Sequence, residues 1–134
     1  MIKNISLSER YFREGLNLFQ RNRISEAISY FEKSYKLNPK NELNLFYLGL
    51  GYEREGEIEK ARKFWEEAIK VDNNFWAPHL LLGISYAEEW LEKGGNNFYL
   101  KKAIENYEKV VELNSQDKEI KNFLGILKSY DEKA

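Results

Sequence analysis

The chain has 134 residues, enough for one well-packed core, and no cysteine, which excludes disulfides, thiolate metal sites and a cysteine nucleophile. Its 21 Lys and Arg against 22 Asp and Glu leave a formal net charge of −1, so nothing points to a polyanion and nucleic acid is not an expected partner. Charged residues at 32% and aromatics at 15% suit amphipathic helices with charged outer faces and bulky inner ones.

The opening MIKNISLSERYF lacks an apolar run before a small-residue cleavage site, so no signal peptide is expected. A first helix is predicted from about Ser8 to Arg21, with Ser6-Leu7-Ser8-Glu9 at capping-box spacing. A second follows from about Ser25 to Leu37, with Ser25 as its N-cap. It ends at Asn38-Pro39, because a residue before proline is pushed out of the α region. The next pair repeats this pattern with Gly56 as its break. The most apolar stretch, Phe75 to Ala87, is interrupted by Pro78 and His79 and falls short of the roughly 20 residues a membrane span needs. A cytoplasmic protein without a membrane span is therefore expected. Pro78 is tolerated in the first turn of its helix, which continues to about Lys93 until Gly94-Gly95 stops it. Asn96 to Tyr99 then makes a loop, with Phe98 or Tyr99 folded back over Trp90. A last helix, Asp117 to Tyr130, carries Lys121 and Lys128 where inner apolar residues would stand, and so reads as a polar cap.

An internal repeat underlies this order. Gly15, Gly49 and Gly83 are spaced by 34 residues, and so are Ala27 and Ala61, Phe31 and Trp65, Leu48 and Leu82, and Tyr52 and Tyr86. Beyond Gly83 the interval becomes 42: Ala61 is matched by Ala103, Trp65 by Tyr107, Ala68 by Val110, Val71 by Leu113 and Gly83 by Gly125. One insertion of eight residues explains every offset.

These residues resemble the tetratricopeptide repeat (TPR), a helix–turn–helix unit of 34 residues. The family's Leu-Gly pair stands at Leu48-Gly49 and Leu82-Gly83, with Glu14-Gly15 in the first unit. Its Tyr stands at Tyr52 and Tyr86, with Leu18 as the variant, and its helix B alanines at Ala27, Ala61, Ala68 and Ala103. The resemblance implies an all-α, right-handed solenoid of antiparallel helix pairs, with about seven helices in a single domain over residues 1–134. The repeats would be 8–41, 42–75 and 76–117, the last holding the insertion, with a capping helix at 118–131.

Candidate sites divide into those that dissolve and one that stands. The Gly-Leu-Gly of residues 49–51 is not a dinucleotide loop: no strand precedes it, and Glu53 and Arg54 follow where free backbone is required. Gly49 is instead a packing glycine, and Gly51 leaves extra room between neighbouring helices. His79, the single histidine, is expected to be partly buried and hydrogen-bonded, without a catalytic partner. Glu66-Glu67 and Glu88-Glu89 diverge by about 100° on their helices and cannot share a metal. Arg10, Arg13, Arg21 and Arg23 are interleaved with Glu9, Glu14 and Glu26, so no basic stripe forms. No catalytic residue, metal or cofactor is expected.

The resemblance places a partner-binding groove on the inner face of the first helix of each pair. Its residues would be Phe12, Leu16 and Phe19; Leu43, Phe46 and Leu50; and Leu80, Ile84 and Leu91, with Glu9 and Glu53 at the rim. Phe12, Phe46 and Leu80 are the expected central anchors. At the positions where part of the family clamps a chain-terminal carboxylate, this chain has Phe12, Leu16, Tyr47, Ala77 and Leu81, so an acidic C-terminal peptide is not the expected ligand. The expected function is a non-enzymatic scaffold that takes an apolar or amphipathic protein segment in the groove. The rival is a self-assembling structural protein whose groove or end face forms a homo-oligomer, such as a homodimer closed over the same residues; the N-terminal Ile2, Ile5 and Leu7 could also cover them.

Overall fold

The computed structural model describes residues 5–94 and 97–132; Ile2, Gly95 and Asn96 lie outside this range. Among the described residues there are seven α-helices and no strand: α1 (Leu7–Gln20), α2 (Ile24–Leu37), α3 (Glu42–Arg54), α4 (Ile58–Val71), α5 (Trp76–Lys93), α6 (Asn97–Leu113) and α7 (Lys118–Glu132). They form two compact units, Met1–Asp72 and Asn73–Ala134.

In the first unit α1 packs on α2, α2 on α3 and α3 on α4. Ser6 caps α1, its hydroxyl accepting from the Glu9 N–H at 3.1 Å. The helix buries Ser8, Phe12, Gly15 and Leu18, one stripe at spacings of three and four. At its end the Arg23 N–H donates to the Leu18 carbonyl and the Asn22 N–H to that of Phe19, both at 2.9 Å, with Asn22 at φ +62°. This is a Schellman closure, and α3 repeats it with Glu57 to Tyr52, Gly56 to Glu53 and Gly56 at φ +81°. The closure uses up Asn22 and Arg23, so α2 starts at Ile24 and Ser25 is not its N-cap as expected. The Ser25 hydroxyl donates instead to the Glu55 carboxylate at 2.7 Å.

The glycines explain how closely each pair meets. A Cβ on Gly15 would lie 2.5 Å from the Phe31 ring, and one on Gly49 would fall inside the indole of Trp65. Gly51 has the role its position suggested: a Cβ there would come within 2.7 Å of Ile28. Polar bonds then fix one pair against the next. Asn44, fully buried, donates through Nδ2 to the Phe31 carbonyl at 3.0 Å. The Tyr52 hydroxyl donates to Glu32 at 2.8 Å, and that of Tyr35 to Glu67 at 3.1 Å. Burial first, then these carboxylates, hold both phenols above the ordinary tyrosine range.

In the second unit α5 packs on α6 and α6 on α7. The insertion lengthens both helices of the pair, to 18 and 17 residues against 13 or 14 in the first unit. Gly94, at φ +61°, ends α5 as expected, its N–H donating to the Trp90 carbonyl at 2.8 Å. The expected loop through Tyr99 is not there: α6 begins at Asn97, so Phe98 and Tyr99 are helical and their rings meet Tyr86, at 6.5 and 6.4 Å. The ring that meets Trp90 is Tyr130 of α7, 5.4 Å away. Asp117 caps α7 through bonds from the Glu119 and Ile120 N–H groups. That helix buries Leu124 and Leu127, while Lys128 reaches Glu108 of α6 at 3.3 Å.

Candidate interaction face

Residues three and four apart on α1 and α3 share a face, and its centre is Tyr47. The Tyr47 ring lies 5.4 Å from Phe46, 5.6 Å from Phe19, 5.9 Å from Phe31 and 6.1 Å from Phe12. Sequence reasoning gave Tyr47 only the negative role of filling a clamp position. The signal that could have found it is the Phe46-Tyr47 pair, two helices on from Phe12 and Phe19.

The expected groove residues therefore divide. Phe12, expected as an open anchor, is 8% exposed and belongs to the core, covered by Phe31 and Tyr47. Leu16 and Phe19 are half-buried against the same core, and the Arg54 guanidinium lies 4.8 Å over the Phe19 ring. Phe46 and Leu50 are half-buried and Leu43 is exposed. Glu9 is exposed and pairs with Arg13 at 3.0 Å, an arrangement worth little in water. Glu53 is half-buried. In the second unit, Leu80 and Ile84 are half-buried on α5, and Leu91 is 70% exposed.

His79 is buried in the α5–α6 pair, more fully than expected, with the Asn73 backbone and the Asn106 side chain as its hydrogen-bonding neighbours. Burial is the largest influence on the imidazole and pulls its pKa below the ordinary value, against the Asn73 backbone and the Asn106 side chain. Among the described residues no three His, Asp or Glu side chains are grouped to hold a metal ion, and no helix is long and apolar enough to cross a membrane.

Comparison with known proteins agrees with this architecture. No curated protein matches the chain significantly. Among solved structures, the first TPR domain of Spaghetti (RPAP3), bound to the HSP90 peptide SRMEEVD, is similar at a TM-score of 0.75 and 21% identity, over 92% of this chain and 91% of that one. The Sgt2 TPR domain from Aspergillus fumigatus is similar at 0.74 and 24%, over 96% and 82%. The Arabidopsis OM64 TPR domain is similar at 0.74 and 19%, over 92% and 95%. The sequence profile described as Tetratricopeptide repeat matches residues 8–41 and 43–75. Those two matches span α1–α2 and α3–α4, the pairs in which Gly15 lies beneath Phe31 and Gly49 beneath Trp65, and on them the chain belongs to the tetratricopeptide repeat family.

Proposed function

We propose that the chain is a non-enzymatic interaction scaffold that binds an apolar or amphipathic segment of another protein on the α1–α3 face. The carrying observation is the unevenly covered apolar surface around Tyr47: Leu16, Phe19, Phe46 and Leu50 are half-buried, and Leu43 is 46% exposed. Such a surface costs free energy in water and gains it when covered. The α5 residues Leu80, Ile84 and Leu91 offer the same chemistry on the second unit. A helix with apolar residues on one side is the ligand form that suits such a face. The HSP90 peptide held by the Spaghetti domain is acidic and differs from that form. With Phe12, Leu16 and Tyr47 where cationic or amide side chains would grip a carboxylate, this chain is expected to leave such a peptide unbound.

Photo-crosslinking tests the reading. A benzophenone amino acid placed at Leu43 or Leu50 should, in extract of the source cell, give adducts that map to one apolar or amphipathic segment of one protein. Phe46→Asp should abolish them. In a separate anisotropy measurement, SRMEEVD should not bind. Adducts only between copies of this chain, adducts unaffected by Phe46→Asp, or saturable binding of SRMEEVD would each overturn it.

A further inference from the structure

We propose that the outer face of α7 is a docking surface for an acidic helix of another protein, which seats an aromatic ring on Gly125 and sets carboxylates against Lys118, Lys121 and Lys128. The internal repeat supplies the geometry. Gly15, Gly49 and Gly83 each lie beneath a ring from the second helix of their pair, Phe31, Trp65 and Tyr107, and a Cβ on any of the three would press into that ring. Gly125 holds the same register, but its seat is open, with nothing within 4 Å of a Cβ. It is exposed in the middle of α7, where glycine weakens a helix and packing within the chain gives nothing back. A polar cap accounts for the lysines of this helix and leaves the glycine without a role.

The filled seats define what a helix laid on the open one must carry. Seven residues before Gly15, Ser8 bonds Ser34, which stands three residues after the Phe31 ring. Four residues before Gly15, Tyr11 meets Tyr30 and Lys33, one before and two after that ring. Three residues after Gly49, Tyr52 meets Phe64 and Lys60, one and five before the Trp65 ring. On α7 these three places hold Lys118, Lys121 and Lys128, all exposed. The complement is a helix with carboxylates five residues before, two after and three after its ring. A small residue belongs four before the ring, as Ala27, Ala61 and Ala103 stand in this chain. Lys128 already touches Glu108 at 3.3 Å, a half-exposed pair that a second carboxylate can share. Glu132, one turn beyond Lys128, leaves the face positive. Two copies paired through α7 would set lysine against lysine, so the charge selects an acidic partner over a symmetric dimer.

The probe is a peptide of the α4 sequence, Ile58–Val71, carrying Lys60→Glu and Ala68→Glu; Trp65 is its ring, Ala61 its small residue, and Glu67 stands two after the ring. A lactam between Glu59 and Lys63, both exposed on α4, holds it helical. Titrated into the whole nitrogen-15-labelled chain at low salt, it should bind with a Kd of roughly 10–300 µM and shift the amides of α7 around Gly125. Trp65→Ala in the peptide should weaken binding about tenfold or more. Gly125→Leu in the protein should do the same while keeping the wild-type circular dichroism, because the position is open. Lys121→Glu should weaken binding about threefold or more, and so should added salt. Phe46→Asp should leave it unchanged, which separates this surface from the α1–α3 face. Absence of saturable binding, shifts confined to α1–α3, or binding retained in Gly125→Leu would each overturn the proposal. So would a dimer of the free chain, seen by sedimentation and dissociated by Gly125→Leu.

Discussion

The indole of Trp65 lies on the backbone of Gly49, and its Nε1 donates to the carbonyl of Phe46 at 3.3 Å. The large residue of the second helix thus both fills the space left by the glycine and ties down the first helix. A methyl group at Gly49 would collide with a fully buried ring that cannot move aside. Gly49→Ala should therefore destabilise the protein by about 1–3 kcal/mol, even after the gain of roughly 1 kcal/mol in helix propensity. Gly125 is the control: it occupies the equivalent repeat position, yet nothing lies within 4 Å of a Cβ built there. Gly125→Ala should stabilise by about 0.5–1 kcal/mol. Urea denaturation of both variants measures the two signs.

Tyr52 joins three helices. Its hydroxyl donates to Glu32 on α2 at 2.8 Å, and its ring lies parallel to Phe64 of α4 at 5.7 Å. Tyr52→Phe keeps the stacking and loses the charge-assisted bond, so it should cost about 1.5–3 kcal/mol. The pH dependence carries the same information. Burial, then Glu32, raises the phenol above 10.0, so the unfolded chain gives up its proton first. The stabilisation is present below 10.0 and is lost as the pH rises beyond it. Alkaline unfolding curves of Tyr52→Phe should lack this component. A wild-type and variant pair with parallel curves would contradict the latch.

The division between Phe12 and Leu43 can be separated by mutation. Phe12 lies beneath Phe31 and Tyr47 at 8% exposure, so Phe12→Ala should cost about 3–5 kcal/mol, as a core truncation does. Leu43, 46% exposed, should tolerate Leu43→Ala within about 0.5 kcal/mol. Thermal melts rank them. Equal losses would mean that Leu43 is enclosed as fully as Phe12.

This difference shows what could be read in the sequence. The helix pairs were legible because each packing glycine and its large partner recur at fixed spacing, and steric exclusion leaves little choice of residue at either. Helical periodicity could not say how far a ring from two helices on would reach over Phe12, and Tyr47 covers it. Phe98 and Tyr99 escaped for a related reason. The insertion lengthened α5 to Lys93, as its sequence indicated, but it also lengthened α6, setting Phe98 and Tyr99 on a helix against Tyr86 where residue types alone suggested a loop. Gly125 kept its register without its packing role, because register records a position and not the neighbour that gives the position meaning.

Asn22 and Gly56 hold the same left-handed place, at φ +62° and +81°, each closing its helix with a Schellman pair of bonds. A left-handed residue costs an ordinary side chain about 1–2 kcal/mol, which glycine escapes and asparagine reduces. No atom lies within 4 Å of a Cβ built on Gly56, so any cost of substitution there is conformational and not steric. Gly56→Ala should therefore destabilise by about 1 kcal/mol, and Asn22→Ala by a similar or smaller amount. Asn22→Gly should be close to neutral, because it relieves the backbone while adding unfolded-state entropy and losing a long 3.4 Å bond from Arg54. The three midpoints in urea, at constant slope, test the assignment. If Gly56→Ala is as stable as the wild type, the turn can close without a left-handed residue, and the equivalence of Asn22 and Gly56 has no energetic content.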